Sequence, residues 1–231
     1  MQVLITGANR GLGLEFTRQL LARGDKVIAT ARKPAGATAL NKLSSTHPGQ
    51  LTVLGFESGA PESTDELLRG VGALTKSLDL FIANAGVLKR GETFGDVRQA
   101  DLEHSLRVNA IGPMLLTQAL TPLLALGTSP RVVFISSVLG SIGARDSFYV
   151  PSYCISKAAL NMAMRVLSFA LSEQHIIATA VHPGWVRTDM GGDQAPLLAP
   201  DAVSGLLTLI DALTSAHHGG FFAHDGRELA W

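Results

Sequence analysis

Short apolar runs alternate with longer helical segments along the chain, and this alternation constrains the fold more than any other feature. Three of the runs, residues 3–5, 80–82 and 132–135, are continuously apolar, which is typical of strands covered by helices on both faces. Strands regularly separated by helices pair in parallel through crossover connections. We therefore predict an α/β fold with a doubly wound parallel sheet of about seven strands and helices on both faces. The predicted strands span residues 2–6, 26–31, 51–56, 78–83, 131–136, 176–181 and 220–222.

The charge balance and the cysteine count exclude several classes of protein. The chain has 19 Lys and Arg against 19 Asp and Glu, with no run of like charge, so we expect neither a nucleic-acid nor a membrane partner. Its single cysteine, Cys154, leaves no disulfide framework and no multi-cysteine zinc site, so we expect a cytoplasmic protein without a bound metal. No linker or shift in composition marks a boundary, and residues 1–231 are expected to form one domain.

A glycine-rich segment, Thr6-Gly-Ala-Asn-Arg-Gly-Leu-Gly13, follows the first predicted strand and opens the first predicted helix. Because glycine lacks a Cβ atom, Gly7, Gly11 and Gly13 permit a tight turn, close approach of a pyrophosphate, and close packing of helix on strand. Ordinary turns also use glycine, so the loop alone is weak evidence. Its position after the first strand favours a dinucleotide site of the Rossmann type.

The end of the second predicted strand favours NADP over NAD. In NAD sites of this type an acidic residue, about 20 residues beyond the glycines, accepts hydrogen bonds from the ribose hydroxyls. Here the strand ends in Ala31 and Arg32, without a carboxylate. Arg10 and Arg32 could converge on the 2′-phosphate of NADP with paired guanidinium hydrogen bonds. The alternative is that both are solvated surface arginines.

Tyr153 and Lys157 stand one helical turn apart at the start of a long predicted helix, on one face. A tyrosine ordinarily ionises near pH 10, so it acts as an acid or base at neutral pH only if a nearby cation stabilises its phenolate. Lys157 can supply that charge. Taken alone, the pairing is one that many helices contain by chance.

Together with other motifs, these residues resemble the classical short-chain dehydrogenases/reductases. The motifs occur in order over essentially the whole chain, and residues 182–192 and 220–231 are similar to the C-factor and sniffer-type carbonyl reductase branch of that family. The motifs are the glycine loop, Asn84-Ala85-Gly86 after the fourth strand, Asn109 in a helix, Ser136-Ser137 after the fifth strand, the Tyr153/Lys157 pair, and Pro183-Gly184 with Thr188 after the sixth strand.

The resemblance implies a role for each residue of the site. Tyr153 would protonate the carbonyl oxygen during reduction, and Ser137 would orient that oxygen. Lys157 would lower the pKa of Tyr153 and bind the nicotinamide ribose, and Asn109 would hold a water linking Lys157 to a proton relay. The expected coenzyme contacts, including the arginine pair, are Gly7, Asn9, Arg10, Gly11, Leu12, Gly13, Arg32, Glu57, Asn84, Ala85, Gly86, Tyr153, Lys157, Pro183, Gly184, Val186 and Thr188.

The chain departs from the family pattern in three places. After the third strand the usual Asp is absent, so the adenine contact falls to Glu57 or to backbone. The interval from Ser137 to Tyr153 is longer than is common in the family, and we expect the extra loop to rim the substrate mouth. The segment after Thr188 is short and contains a Gly-Gly pair, which indicates a small or open lid.

These features favour an NADP-dependent reductase of a small aldehyde, ketone or quinone. One alternative is a signalling or sensor protein of the C-factor type that binds NADP(H) with little turnover. Retention of Ser137, Tyr153 and Lys157 argues for chemistry, because a sensor has no need of the phenol. A sugar-nucleotide epimerase shares the Tyr/Lys pair but usually requires a longer C-terminal substrate domain.

Two predicted helices are apolar on more than one face. The helix that begins near Tyr153 is apolar most of the way round, and the helix over residues 101–126 is similarly rich in leucine. A helix that covers a sheet needs only one apolar stripe. We therefore expect a homodimer in which these two helices pack against those of a second copy, with a slightly apolar monomer as the alternative.

Overall fold

The computed structural model describes residues 1–231 and contains nine strands and seven α-helices. In chain order they are β1 (Gln2–Ile5), α1 (Gly11–Ala22), β2 (Lys26–Ala31), α2 (Thr38–Thr46), β3 (Leu51–Gly55), α3 (Pro61–Leu74), β4 (Leu80–Ala83), α4 (Gln99–Leu106), α5 (Gly112–Leu124), β5 (Arg131–Ile135), α6 (Pro151–Ser172), β6 (Ile177–His182), β7 (Val186–Arg187), β8 (Leu197–Leu198), α7 (Ala199–Ala212) and β9 (Phe221–Ala223).

Seven strands form one sheet in the order β3-β2-β1-β4-β5-β6-β9, and every neighbouring pair is parallel. The strand order reverses between β1 and β4, and such a reversal opens a crevice at the carboxyl edge of the sheet. The predicted α/β fold is confirmed, and all seven predicted strands form with ends within two residues of prediction. The short pair β7 and β8 was not predicted.

Both faces of the sheet are covered, and β1 contributes to each. Because successive side chains of a strand point to opposite faces, Val3 and Ile5 join one buried cluster, and Leu4 joins the other. The first cluster includes residues of α1 and α7, and the second includes residues of α3, α5 and α6. This two-sided burial explains why the central strands lack alternation.

The helix predicted over residues 101–126 is interrupted. Between α4 and α5 the chain makes a π-helical turn, Arg107–Ile111, in which the Gly112 amide donates to the Arg107 carbonyl. Pro113 has no N–H group, so it cannot donate to the carbonyl of Asn109, its partner in an uninterrupted α-helix. The carbonyl of Asn109 therefore lacks its α-helical donor. Asn109 is one of the site residues predicted from the sequence.

One helix, α6, is long and apolar enough to cross a membrane when judged by length and composition alone. Half of its most apolar window is buried inside the protein, and Leu160, Met164 and Leu167 pack in the core cluster against the sheet. A helix in the core of a protein passes the same test of length and composition, and α6 is such a helix.

Candidate active site

The glycine loop between β1 and α1 has the conformation that its sequence predicts. Gly7 and Gly11 have positive φ angles of 66° and 54°, which side chains rarely tolerate. A Cβ atom on Gly13 would lie 2.5 Å from the Gly7 oxygen, and one on Gly7 would lie 2.8 Å from the Ala85 Cα. The loop therefore packs tightly against the segment after β4, and only glycine fits at these places.

Thr6 and Asn84 fasten that loop to the segment after β4. The Thr6 hydroxyl accepts hydrogen bonds from the Asn84 and Ala85 amides, both at 3.1 Å. The Asn84 side-chain amide donates to the oxygens of Thr6 and Gly7, at 2.9 and 3.0 Å. The two loops that flank the crevice are thus one hydrogen-bonded unit, which stabilises a shape complementary to a dinucleotide.

Arg10 and Arg32 are both exposed at the carboxyl edge of the sheet, where the sequence placed them. The Arg10 guanidinium contacts Asp189, with Nη1 2.7 Å from Oδ2. Asp189 was not among the predicted site residues. Both side chains are more than half exposed, so this ion pair contributes little free energy and leaves Arg10 available to a phosphate.

The segment after β6 closes the crevice on the side opposite the sheet. Gly184 has a φ of 87°, and a Cβ atom there would lie 2.8 Å from Leu197 Cδ2. Thr188 faces the glycine loop, since a Cβ atom on Gly11 would lie 3.5 Å from Thr188 Cγ2. The Thr188 hydroxyl accepts a hydrogen bond from the Gly191 amide at 3.1 Å, so the predicted small lid is a turn bound to Thr188.

The remaining predicted coenzyme residues lie around the same edge. Pro183 and Val186 belong to this segment and are buried, and Leu12 is half-buried in the first turn of α1. Asn9 and Glu57 are exposed, and Glu57 follows the last strand residue of β3 by two positions.

Asn109 is fully buried in the π-helical turn and joins three elements. Its side chain accepts a hydrogen bond from the Val87 amide at 2.8 Å and donates to the Val87 oxygen at 2.9 Å. It also donates to the Ser156 hydroxyl at 2.9 Å, and that hydroxyl donates to the Tyr153 carbonyl at 2.8 Å. The side chain is therefore occupied in holding α6 against the loop after β4.

Ser137 and Tyr153 contact each other at the bottom of the crevice. Ser137 is 7% exposed and Tyr153 is 8% exposed. Burial raises the pKa of Tyr153 to about 12, against a smaller lowering by the neighbouring Ser137 hydroxyl. The Ser137 hydroxyl also accepts from the Leu139 amide at 3.1 Å, which fixes its orientation.

Lys157 lies one turn after Tyr153 on α6, with only 4% of the residue exposed. Its ammonium donates to the Ile135 carbonyl at 2.7 Å and lies 5.6 Å from the centroid of the Tyr153 ring. Burial lowers the pKa of Lys157 to about 8, so the group is charged at neutral pH. The family resemblance implied a lowered pKa for Tyr153; here desolvation by burial is the larger effect, and the pKa is raised instead.

Gly86 lies beside these side chains. A Cβ atom there would lie 3.4 Å from Asn109 Oδ1 and 3.8 Å from Lys157 Nζ, which is ordinary van der Waals contact. The glycine backbone therefore lies next to the ammonium, and a side chain at this position would fill the space between them.

Two loops border the mouth of the crevice. Glu92, in the loop after β4, accepts hydrogen bonds from the amide and the hydroxyl of Ser152, next to Tyr153. Phe94 and Phe148 meet edge to face, with ring centroids 5.7 Å apart. Both rings are largely exposed, so the longer interval before Tyr153 supplies an exposed aromatic ring that packs on the loop after β4.

Sequence reasoning missed several residues that support the site, above all Ser156, Glu92 and Asp189. Their partners are 47, 60 and 179 residues away along the chain. These pairings arise from the folded topology, so no local sequence pattern predicts them. The spacing of Asn109 and Pro113 was a readable signal for the π-helical turn. No group of three or more His, Cys, Asp or Glu side chains lies close enough to hold a metal ion.

Comparisons with known proteins agree with this geometry. The model of the short chain dehydrogenase family matches residues 1–196. C-signal of Myxococcus xanthus is 43% identical over 157 residues, which cover 68% of this chain and 95% of that protein. Two solved structures match all of this chain: the carbonyl reductase Sniffer of D. melanogaster, with TM-score 0.95, 32% identity and 99% of that chain covered, and an NADPH-bound carbonyl reductase from chicken fatty liver, with TM-score 0.94, 36% identity and 98% covered.

Proposed function

This chain belongs to the short chain dehydrogenase family, and we propose that it reduces the carbonyl group of a small aldehyde, ketone or quinone. It is an NADP-dependent oxidoreductase, since its structural neighbours are carbonyl reductases, including one solved with NADPH bound. Carbonyl reduction is supported above all by the cluster of Ser137, Tyr153 and Lys157, all nearly buried at the carboxyl edge of the sheet.

Tyr153 is the proposed general acid. A pKa of about 12 keeps its phenol protonated at neutral pH, so the hydroxyl can donate its proton to a carbonyl oxygen. When bound, NADPH supplies the hydride that reaches the carbonyl carbon. The proton from Tyr153 completes the alcohol, and a proton from solvent then restores the phenol.

Ser137 and Lys157 prepare Tyr153 for that transfer. The Ser137 hydroxyl lowers the pKa of Tyr153, so the two hydroxyls are neighbours, and Ser137 is proposed to donate to the same carbonyl oxygen and so to orient it. The Lys157 ammonium, 5.6 Å from the tyrosine ring centroid, stabilises the phenolate that forms when the proton leaves. Because Gly86 places no side chain beside it, the same ammonium is proposed to bind a ribose hydroxyl.

Asn109 is proposed to supply a backbone carbonyl to the proton relay. Pro113 cannot donate to that carbonyl, and the side chain of Asn109 is already bonded to Val87 and Ser156. A water held at the carbonyl would connect Lys157 to solvent. The π-helical turn is thus a local deviation with a chemical use.

The coenzyme would lie along the crevice between β1 and β4. The backbone of the glycine loop and the start of α1 would bind the pyrophosphate, and Arg10 and Arg32 would bind the 2′-phosphate. Other proposed contacts are Asn9, Leu12, Glu57, Asn84, Ala85, Gly86, Pro183, Gly184, Val186 and Thr188.

A second candidate function is coenzyme-dependent signalling with little turnover. The 43% identity to C-signal supports it. It gives no reason for a buried tyrosine beside a serine, however, because coenzyme binding alone requires only the loop and the arginines. A panel of aldehydes, ketones and quinones, followed by NADPH absorbance, separates the two functions. Turnover supports the reductase, and tight NADPH binding without turnover supports signalling.

The exposed faces of α5 and α6 support a homodimer. An apolar stripe runs along α6 through Ile155, Met162, Val166 and Phe169, each about half exposed or more, at spacings that share one helix face. Ile111 and Leu115 are similarly exposed at the start of α5, and α5 packs against α6. Together these side chains leave exposed apolar surface on neighbouring helices that a second copy could cover.

The chain has 19 basic and 19 acidic residues, so we propose that it binds neither nucleic acid nor membrane. We also propose that it is a cytoplasmic protein of one domain, residues 1–231, that binds a small carbonyl compound.

A further inference from the structure

Trp231 contacts the segment that follows Ser137. Its backbone oxygen accepts a hydrogen bond from the Gly143 amide at 3.0 Å and another from the Ser141 hydroxyl at 3.2 Å. Ser141 is only 1% exposed, and the second bond is partly buried. Residue 231 thus meets the chain some 90 positions away, at the point where the rim of the mouth begins.

Trp231 is itself fastened to the edge of the sheet. Its indole stacks on the Phe221 ring, with centroids 5.5 Å apart and planes inclined by 19°. Phe221 belongs to β9 and is 1% exposed. The Leu229 amide donates to the Phe221 carbonyl at 2.8 Å, and Glu228 pairs with Phe222 in an antiparallel bridge. The anchor is therefore rigid and independent of the loop that it contacts.

The anchored segment leads directly to the reacting groups. Ser137 caps the short 3₁₀ turn Val138–Gly140, and this turn packs on α6 so closely that a Cβ atom on Gly140 would lie 2.7 Å from the Lys157 carbonyl carbon. From Ile142 to Tyr149 the chain is mostly exposed and irregular. Between the packed turn and this exposed rim, the chain is held by the hydrogen bond from the Ser141 amide to the Val138 carbonyl and by the contacts of Trp231.

We propose that Trp231 is a positioning residue for carbonyl reduction: it holds residues 141–143 in place, and through them Ser137 and the rim of the substrate mouth. The inference rests on the proposed reductase function. Trp231 touches no reacting atom, and it acts by restricting the segment that does. Its contacts are on the substrate side of the crevice, away from the glycine loop, so the carbonyl substrate and the coenzyme should respond differently to its loss.

Trp231→Ala removes the stacked ring, and Trp231→Phe is the matched control, because a phenyl ring can still stack on Phe221. We expect Trp231→Ala to lower kcat/KM for the carbonyl substrate about tenfold, because without the stacked ring the oxygen of residue 231 is no longer held against Gly143 and Ser141. The Kd for NADPH should stay within about twofold, and Trp231→Phe should restore most of the activity. An unchanged kcat/KM, or an equal loss of NADPH affinity, would overturn the proposal.

Amide hydrogen exchange tests the anchor without reference to activity. In the wild type the Gly143 amide should be protected, and in Trp231→Ala its exchange should become faster while the strands of the sheet exchange as before. Equal protection of Gly143 in both proteins contradicts the anchor, even if the protein reduces carbonyls. Absence of reductase activity in the wild type would refute the proposed function, with the exchange result still deciding the anchor.

A second variant, Ser141→Ala, keeps the proposal testable if Trp231→Ala fails to fold. Ser141→Ala removes one hydrogen bond to Trp231 and leaves the stacked ring in place. If both residues act through one anchor, the double variant should lose little more activity than Trp231→Ala alone. Fully additive losses would show that the two residues act separately, which would contradict the proposal.

Discussion

The Lys157 ammonium donates a 2.7 Å hydrogen bond to the carbonyl of Ile135, the last residue of β5. This bond holds a buried charge at the end of a central strand, one helical turn from Tyr153. It also satisfies one of the three N–H donors of the ammonium, a group that the core would otherwise disfavour. The ammonium also lies beside Gly86, where a Cβ atom would be 3.8 Å from it, so one cation is placed between Tyr153 and the proposed coenzyme site.

The first prediction concerns pH. Burial lowers the pKa of Lys157 from its ordinary 10.5 to about 8, so the group is charged below pH 8 and loses its proton above it. Because the proposed roles need the charge, kcat/KM for NADPH should fall as pH rises through about 8. Tyr153, with a pKa of about 12, should add no loss below pH 10. A profile that stays flat from pH 6 to 10 would contradict the assignment to Lys157.

Lys157→Met is the control for that profile. Methionine has a similar length but no charge, so both the rate and the NADPH affinity should be reduced at every pH, and the decline near pH 8 should disappear. A variant that still declines near pH 8 would show that another group causes it.

The second prediction concerns coenzyme choice. Arg10→Ala combined with Arg32→Ala should weaken NADPH far more than NADH, because only NADPH carries the additional phosphate. A hydrogen bond to a charged group contributes about 1.5–3 kcal/mol, so each arginine lost should weaken NADPH roughly tenfold or more. Fluorescence titration of both coenzymes measures this. Arg69→Ala, an exposed arginine on α3, should change neither affinity. Equal losses for the two coenzymes would refute the role of the pair.

The third prediction uses the glycine loop. Gly13→Ala places a methyl group 2.5 Å from the Gly7 oxygen and 2.6 Å from Asn84 Nδ2, so the loop must shift and NADPH binding should be lost or fall by more than about tenfold. Gly72→Ala, in α3 where nothing lies within 4 Å, is the matched control and should bind normally with a stability gain of up to about 1 kcal/mol. Normal NADPH binding by Gly13→Ala would be evidence against this site.

The fold was almost fully predictable, and the site was predictable in part. Continuous apolar runs such as residues 132–135 indicate two-sided burial, and their regular alternation with helices leads to the parallel sheet. Tyr153 and Lys157 stand one turn apart on one helix, but that pairing is common by chance, and it was assigned to the site only together with the other motifs of the family. Ser156 and Glu92 were not predicted as site residues, because their partners lie in other elements and sequence spacing does not indicate those contacts. The pKa of Tyr153 also depends on desolvation by the folded protein, which no local pattern measures.

The fourth prediction concerns assembly. Light scattering at micromolar concentration should give twice the 24.3 kDa of one chain. Met162→Asp places a charge in the middle of the α6 stripe, at a residue 64% exposed, and should give monomers. Leu126→Asp is equally exposed, at 70%, but lies beyond the end of α5 and should leave the dimer intact. A wild type of 24.3 kDa would exclude the homodimer.

The most direct test of the account compares wild type with Tyr153→Phe in NADPH-dependent carbonyl reduction, beside NADPH affinity measured by titration. The account expects turnover in the wild type, a loss of at least about a thousandfold in Tyr153→Phe, and an NADPH affinity within about twofold of wild type. Tyr149→Phe removes the only other tyrosine hydroxyl and should keep most of the activity. A Tyr153→Phe variant that reduces carbonyls at a rate near that of the wild type would contradict the account.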